Sequence, residues 1–340
     1  MSKARQLASL GNVYDDGALS NRNMVVNGGM TVNQRGNSTG VTGIGYYGPD
    51  RFQTVLNSAG TWSVSQSSTA PDGFGSSFKF DCTTADTPSG ANDYLILYHT
   101  LEGQDLQRLK KGTSSAEKST LSFWIRSNKT GTYQVNMQDQ DNSRLTGKTY
   151  TIDAANTWER KVITFDGDTT GAYTNDANAS LNLEWWLAAG STFTSGAVPT
   201  SWEALTQADR AAGLNVNLAD STSNELYITG VQLEIGDTST PFEHRSYGDE
   251  LARCQRYYAE TGFNVEDYAT AGGEYYHDPV YFPMSMRTAP SVTIVNGNVT
   301  NINSTNAYDT DLTSLRVEIQ STSSGRAVNL GGTVKLDAEL

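Results

Sequence analysis

The amino-acid sequence predicts an all-β protein built as an antiparallel sandwich. Of its 340 residues only 18% are charged, against roughly 25% in an ordinary domain, and 32 are glycines. Short segments of alternating apolar and polar residues, bounded by turn residues, recur along most of the chain. Helical patterns do not alternate regularly with these segments, which excludes a parallel βαβ arrangement.

The strands of the larger, N-terminal region are identified by their two-residue alternation. In the strand 121–126, Leu121, Phe123 and Ile125 share one face. Ser122, Trp124 and Arg126 share the other. Strands are predicted for residues 23–26, 62–66, 77–81, 94–100, 121–126, 133–138, 161–165, 181–187 and 226–233.

Three helices interrupt the strands, at residues 2–10, 202–212 and 247–259. The second has Thr200 and Glu203 at the spacing of a capping box. The third carries apolar residues at helical spacing and ends before Gly262. We place a domain boundary at this helix.

The chain therefore divides into four predicted parts. These are an N-terminal segment (1–21), a β-sandwich (22–247), a helical connector (248–262) and a smaller C-terminal β-domain (263–340). The smaller domain is predicted to contain strands at residues 279–286, 291–295, 298–302, 315–320 and 332–336.

The charge and composition exclude several classes of protein. A net charge of -13 argues against binding to nucleic acid, which requires a clustered basic surface. No run approaches the roughly 18 apolar residues of a membrane span, and the first residues lack the apolar core of a signal peptide. We therefore expect no membrane insertion and synthesis in the cytoplasm. Cys82 and Cys254 are too few for a disulfide framework or an all-cysteine zinc site.

Motifs that imitate catalytic or metal sites are incomplete. The loop 166–171 resembles the start of a calcium loop, but Ala177 stands where a bidentate glutamate is required. Residues 36–40 match the letters of a nucleophile elbow without the flanking strand and helix. Glu184 could be paired on paper with Glu102 or Asp93 as a glycosidase dyad, but many such pairs exist among 37 acidic residues. We predict no catalytic residue, no metal ligand and no enzymatic activity.

The polar faces of three predicted strands form the candidate ligand-binding surface. If the strands are neighbours in one sheet, this surface combines aromatic rings with amide and charged groups, as sugar recognition requires. The alternative is that its tryptophans lie under the 188–215 loop or in a subunit interface. If the C-terminal domain is distal, the alternative receptor site is the group Tyr275, Tyr276, Tyr281 and Tyr308. The candidate residues are Trp124, Arg126, Gln134, Asn136, Gln138, Asn182, Glu184 and Trp186.

Two groups of motifs resemble tailed-bacteriophage tail-fibre proteins. The first is NMVVNGGMTVNQRG at 23–36 followed by YGPDRF at 47–52. The second is YITGVQLEIG at 227–236, TPFEHRSYG at 240–248 and ELARCQRYY at 250–258. Their order and spacing match the family, and together they bracket residues 20–260.

The resemblance implies a jelly-roll module similar to carbohydrate-binding modules, with its first and last strands in one sheet. It implies a virion protein that binds other tail or capsid proteins through its N-terminus, where Ala4, Leu7, Ala8 and Leu10 can form an apolar stripe. It also implies a homotrimer and allows a structural calcium, but no cofactor is assigned.

The function expected from these features is that of a tail fibre or receptor-binding component that adsorbs to host-surface carbohydrate. One alternative is a capsid-attached head fibre or decoration protein with an assembly role only. A second is a depolymerase of surface polysaccharide.

Overall fold

The computed structural model describes residues 21–86 and 90–340, which form two compact units divided between Arg245 and Ser246. The predicted helix 2–10 and its stripe of Ala4, Leu7, Ala8 and Leu10 lie outside the described residues, so the attachment role stays a prediction.

The first unit is a sandwich of two antiparallel sheets. One sheet has the order β1-β4-β5-β13-β7-β10, and the other has the order β12-β9-β8-β11-β6-β3-β2. In chain order, the strands are β1 (Ser38–Val41), β2 (Gly45–Tyr46), β3 (Phe52–Asn57), β4 (Thr61–Ser67), β5 (Ser77–Thr84), β6 (Tyr94–Glu102), β7 (Ser119–Ser127), β8 (Gly131–Asp139), β9 (Arg144–Ile152), β10 (Glu159–Phe165), β11 (Ala179–Ala189), β12 (Glu203–Ala204) and β13 (Glu225–Ile235). This is the jelly-roll sandwich that the sequence predicts.

The core of this unit lies between the sheets and follows the predicted alternation. Leu121, Phe123 and Ile125 of β7 are buried, as expected, and the Phe123 ring lies 5.7 Å from that of Trp185 on the facing sheet. Large aromatic side chains thus join the two sheets, each contributing on the order of 1.5–3 kcal/mol by its burial.

Three of the motifs identified in the sequence meet at one place in the fold. Asn23 donates from Nδ2 to the Val231 carbonyl (3.0 Å) and accepts at Oδ1 from the Leu233 amide (3.1 Å). Asn27 donates to the carbonyl of Asp50 (2.9 Å), so the two asparagines connect the motifs at 23–36, 47–52 and 227–236. A Cβ at Gly28 would lie 2.0 Å from the Val231 carbonyl oxygen, which explains the glycine. Residues 23–26 therefore lie beside β13 without forming the predicted regular strand.

The predicted helix 202–212 is wrong. In its place are the short strand β12 and a 3-10 turn, Gln207–Asp209. Both belong to a longer stretch, residues 190–216, which we call the covering segment and which includes the four-residue helix α1 (Ser191–Thr194). Its backbone groups hydrogen-bond to side chains of β8, so the segment follows the sheet instead of closing helical bonds.

The second unit is a smaller all-β structure with one helix. A four-stranded sheet, β14-β20-β16 with β17 also on β20, accompanies a three-stranded sheet, β15-β19-β18. Phe263, Val317 and Val334 are among the residues of its core. Its elements are the helix α2 (Tyr247–Gln255) and strands β14 (Tyr258–Ala269), β15 (Tyr275–Tyr281), β16 (Ser291–Val295), β17 (Asn298–Thr300), β18 (Ile302–Tyr308), β19 (Ser314–Ser321) and β20 (Gly325–Asp337).

Several boundaries in this region differ from the prediction, and β14 and β18 are strands that it does not contain. The helix ends at Gln255, where the Tyr257 amide donates to the Cys254 carbonyl. β14 begins at Tyr258, inside the predicted connector, because the chain pairs with β20 from that residue onward. β15 covers 275–281 instead of 279–286, and Pro279 is accommodated because β15 is the edge strand beside β19 in the described sheet. No helix within 21–86 and 90–340 is long and apolar enough to cross a membrane.

His99 gives the first unit an acid-sensitive core. It lies on β6, 1% exposed, with its ring 4.8 Å from that of Phe52. Burial, and secondarily the Arg51 charge, lower the pKa of His99 well below its usual range. Below pH 6.5 the unfolded chain therefore takes up a proton that the folded chain does not, and stability is lost as pH falls.

We expect the free energy of unfolding to fall by up to about 1.4 kcal/mol per pH unit below pH ~6.5. Urea unfolding followed by tryptophan fluorescence measures this, because all six tryptophans lie in the first unit. His99→Leu should flatten the slope, whereas His244→Leu, at an exposed position, should keep it. An unchanged slope in His99→Leu would contradict the assignment.

Candidate functional site

The eight residues of the sequence-based candidate surface do not share a sheet. Trp124 and Arg126 lie on β7 in the first sheet, where β7 pairs with β13 and β10. The other six lie on β8 and β11, which are adjacent in the second sheet. The expectation that all three strands are neighbours is therefore wrong. The pairs set opposite each other are Gln134 with Trp186, Asn136 with Glu184, and Gln138 with Asn182.

The six residues on β8 and β11 are buried, although they lie on the outer face of the sheet, because the covering segment lies on them. Gln134 donates to the carbonyl of Asp209 (2.9 Å), and Asn136 donates to that of Arg210 (2.7 Å). The Gly213 amide donates back to Gln134 Oε1 (2.7 Å). These amides hold the covering segment, which corrects their assignment as direct ligand contacts.

A buried ion pair fixes the covering segment at its centre. Arg210 donates from Nη2 to Glu184 Oε1 at 2.7 Å, and Trp186 donates from Nε1 to Glu184 Oε2 at 3.0 Å. The Arg210 guanidinium lies 5.0 Å from the centre of the Trp186 ring, a cation–π contact. Burial lowers the pKa of Arg210, but the Glu184 carboxylate outweighs burial and raises it.

Beside this ion pair, a cleft of about 340 Å³ opens between the outer face of the second sheet and the covering segment. The Tyr94 ring stands 5.5 Å from that of Phe193 and 6.4 Å from that of Trp186, both close to perpendicular. The cleft is lined by Val55, Asn92, Tyr94, Ile96, Tyr98, Trp186, Thr192, Phe193, Gln207 and Arg210.

The lining suits a polyhydroxylated ligand. Aromatic faces accept the C–H faces of a sugar ring, while amide, hydroxyl and guanidinium groups satisfy its hydroxyls. The Tyr98 hydroxyl contacts Arg210, and burial, followed by the Glu184 charge, raises the pKa of Tyr98 well above its usual range, so it stays a neutral donor.

Of the cleft residues, sequence reasoning identified only Trp186. A usable signal was present in the predicted strand 94–100, where Tyr94, Ile96 and Tyr98 alternate with core leucines and point away from the core. Phe193 and Arg210 carry no such signal, since only folding of the covering segment brings them to the sheet.

On the first sheet, Trp124 and Arg126 are occupied by neighbouring side chains. A Cβ at Gly230 would lie 2.7 Å from Phe74 and 3.1 Å from Trp124, so both rings pack over this glycine. The Arg126 guanidinium lies 4.9 Å from the Tyr227 ring centre and donates from Nε to the Asn156 carbonyl at 3.0 Å.

The loop 166–171, which resembles the start of a calcium loop, binds the ammonium group of Lys111. Lys111 Nζ lies 2.6 Å from Asp139 Oδ2 and 3.1 Å from Asp168 Oδ2, and it donates to the carbonyls of Thr170 (2.9 Å) and Gly171 (2.7 Å). Burial raises the pKa of Asp168, but hydrogen bonds from the side chains of Arg144 and Lys111 and from the Thr170 amide outweigh burial, so the pKa is lowered. Across 21–86 and 90–340, no group of three or more His, Cys, Asp or Glu side chains could hold a metal ion.

A larger cavity of about 490 Å³ lies beside this cluster and is less suited to a ligand. Tyr173 supplies the one aromatic ring among its lining residues. Its two lysines are already paired, Lys110 with Glu117 at 2.6 Å and Lys111 with the two aspartates.

Comparison with known proteins yields similar folds at low identity. No protein-family model matches the chain, and no curated protein matches it. The enzymatically active domain of bacteriophage CBA120 tailspike protein 4 is 14% identical with a TM-score of 0.34, covering 63% of this chain and 21% of that chain. The family 11 carbohydrate-binding module from Clostridium thermocellum, in complex with a mixed-linked tetrasaccharide, is 12% identical with a TM-score of 0.29. The match covers 62% of this chain and 98% of that chain. The C-terminal family 22 carbohydrate-binding module of Clostridium thermocellum Xyn10B is 12% identical with a TM-score of 0.29, covering 62% of this chain and 99% of that chain.

Proposed function

We propose that this chain is a non-enzymatic phage virion protein, a tail fibre or receptor-binding component, whose first unit binds host-surface carbohydrate. The observation that carries the carbohydrate proposal is the cleft in which the partly exposed ring of Tyr94, packed against the buried rings of Trp186 and Phe193, lies beside the hydrogen-bonding groups of Gln207 and Arg210. The virion assignment is supported by the motifs at 23–52 and 227–258.

The cleft holds a sugar without altering it. Glu184, the carboxylate nearest the ring of Trp186, is engaged by Arg210, Trp186 and Asn136. A general acid must reach the glycosidic oxygen, and this carboxylate is instead committed to the covering segment. Weak contacts at one cleft become firm adsorption when several copies act together, a gain on the order of 10²–10⁴ per linked pair.

Removing one wall of the cleft tests this proposal. Tyr94→Ala deletes the ring that faces Phe193 and Trp186, and we expect affinity to fall about tenfold, the loss of one well-placed stacking contact. The measurement is binding of the full chain, displayed multivalently, to a glycan array and to a panel of bacterial cells.

Trp124→Ala is the matched control, because it removes an aromatic ring from the opposite sheet of the same unit. It should bind as the wild type does. If Trp124→Ala loses binding and Tyr94→Ala keeps it, the site belongs on the first sheet. If neither the wild type nor any variant binds carbohydrate or cells, the receptor proposal fails and a decoration protein with an assembly role is favoured.

A further inference from the structure

The outer face of the three-stranded sheet in the second unit carries aromatic and polar side chains that its core does not use. Along β19, Leu315, Val317 and Ile319 are buried, and the residues between them point away from the core. The register places Tyr275 opposite Gln320, and Tyr308 opposite Arg316. We call this surface the tyrosine face; it comprises Tyr275, Tyr281, Tyr308, Arg316, Glu318 and Gln320.

The three rings of the tyrosine face are open to solvent. Tyr275 is 57% exposed, Tyr281 73% and Tyr308 43%. Neighbours hold two of them in place: the Tyr275 hydroxyl accepts from Gln320 Nε2 at 2.8 Å, and the Arg316 guanidinium lies 6.0 Å from the Tyr308 ring centre. These contacts orient the rings of Tyr275 and Tyr308 before any ligand arrives, which reduces the entropy lost on binding.

Sheet geometry sets the spacing of the rings. Tyr275 and Tyr281 are six residues apart on one strand, about 20 Å, and Tyr308 lies two strands away, about 10 Å across the sheet. Glu318 and His277, which are opposite each other, lie between the rings and form no hydrogen bond among the contacts of the described residues. Stacking surfaces thus surround a centre of free donors and acceptors.

We propose that the tyrosine face is a second carbohydrate-binding site, separate from the cleft and specific for neutral glycans. Rings can stack on the C–H faces of sugars, and the polar groups between them can bind hydroxyls. Because Asp309 already pairs with Arg316 at 3.2 Å, Glu318 leaves the face with an excess negative charge, which disfavours acidic glycans.

The face suits a glycan better than a second copy of the chain. Three strands about 4.8 Å apart and seven residues long cover roughly 300 Å², whereas each partner of a standard protein interface contributes about 800 Å². Glutamate is also depleted in protein interfaces, and here Glu318 lies at the centre of the face.

The test compares the full-length wild type with Tyr275→Ala/Tyr281→Ala on an array of neutral and acidic oligosaccharides. We expect the double variant to lose binding to neutral glycans by at least about tenfold. Tyr268→Ala, which removes a 71% exposed tyrosine from the four-stranded sheet, is the matched control and should bind normally. Unchanged thermal unfolding would show that the variants are folded.

Parallel assay of Tyr94→Ala separates this site from the cleft. Neutral-glycan binding lost only in the double variant supports the tyrosine face even if the cleft is inactive. Binding lost only in Tyr94→Ala, or only to acidic glycans, overturns it while leaving the cleft proposal intact. A lower sedimentation mass for the double variant than for the wild type would also overturn it, because the face would then be an interface between copies.

Discussion

Lys111→Met is expected to lower the free energy of unfolding of the first unit by about 3–5 kcal/mol. The Lys111 side chain is 3% exposed, and its ammonium lies within 3.1 Å of two carboxylates whose side chains are themselves 0% and 4% exposed. Methionine preserves the packing against Tyr173 and Trp202 but removes the charge, leaving Asp139 buried without its cation. Urea unfolding followed by tryptophan fluorescence measures the loss.

The adjacent residue supplies the control for this prediction. Lys110 pairs with Glu117 at 2.6 Å but is 55% exposed, so Lys110→Met should cost no more than about 1 kcal/mol. Similar losses for the two variants would show that the buried cluster contributes no more than a surface ion pair.

Arg210→Met is expected to cost a similar 3–5 kcal/mol and also to abolish carbohydrate binding in the cleft. Glu184 is 0% exposed and would lose its counter-ion, and the covering segment would lose the side chain that ties it to Trp186. Stability and glycan-array binding should therefore fall together, because Arg210 both lines the cleft and holds its wall.

A double variant separates loss of the ion pair from general damage. Glu184→Gln/Arg210→Met removes both charges, so it should recover a large part of the stability lost in Arg210→Met. Arg126→Met is the control, since Arg126 pairs with the partly exposed Glu225 at 3.4 Å and should cost no more than about 1 kcal/mol. No recovery in the double variant would refute the coupling between Glu184 and Arg210.

The two-residue alternation made the strands and the core predictable. Leu121, Phe123 and Ile125 are buried as expected, because only one face of a strand can reach the facing sheet. The motif residues Asn23 and Asn27 were identifiable as a signature, but their hydrogen bonds to β13 and Asp50 required the fold.

The candidate site was less predictable, because strand neighbours are not determined by sequence order. β7 precedes β8 in the chain, yet the two strands lie in different sheets, so Trp124 and Trp186 do not share a surface. The helix predicted at 202–212 failed for a related reason. Its capping residues favour a helix locally, but amide side chains of β8 offer its backbone better partners.

The sequence alone determined the all-β class, the inward and outward faces of the strands, and the motifs at 23–52 and 227–258. Each depends on local periodicity or on the order of residues, which folding leaves unchanged. Tertiary structure alone decided that Gln134, Asn136 and Glu184 hold the covering segment, and that Phe193 and Arg210 complete a cleft with Tyr94. Those roles depend on contacts between residues distant in the chain. The buried ion pair between Glu184 and Arg210 forms only when the covering segment lies across the second sheet.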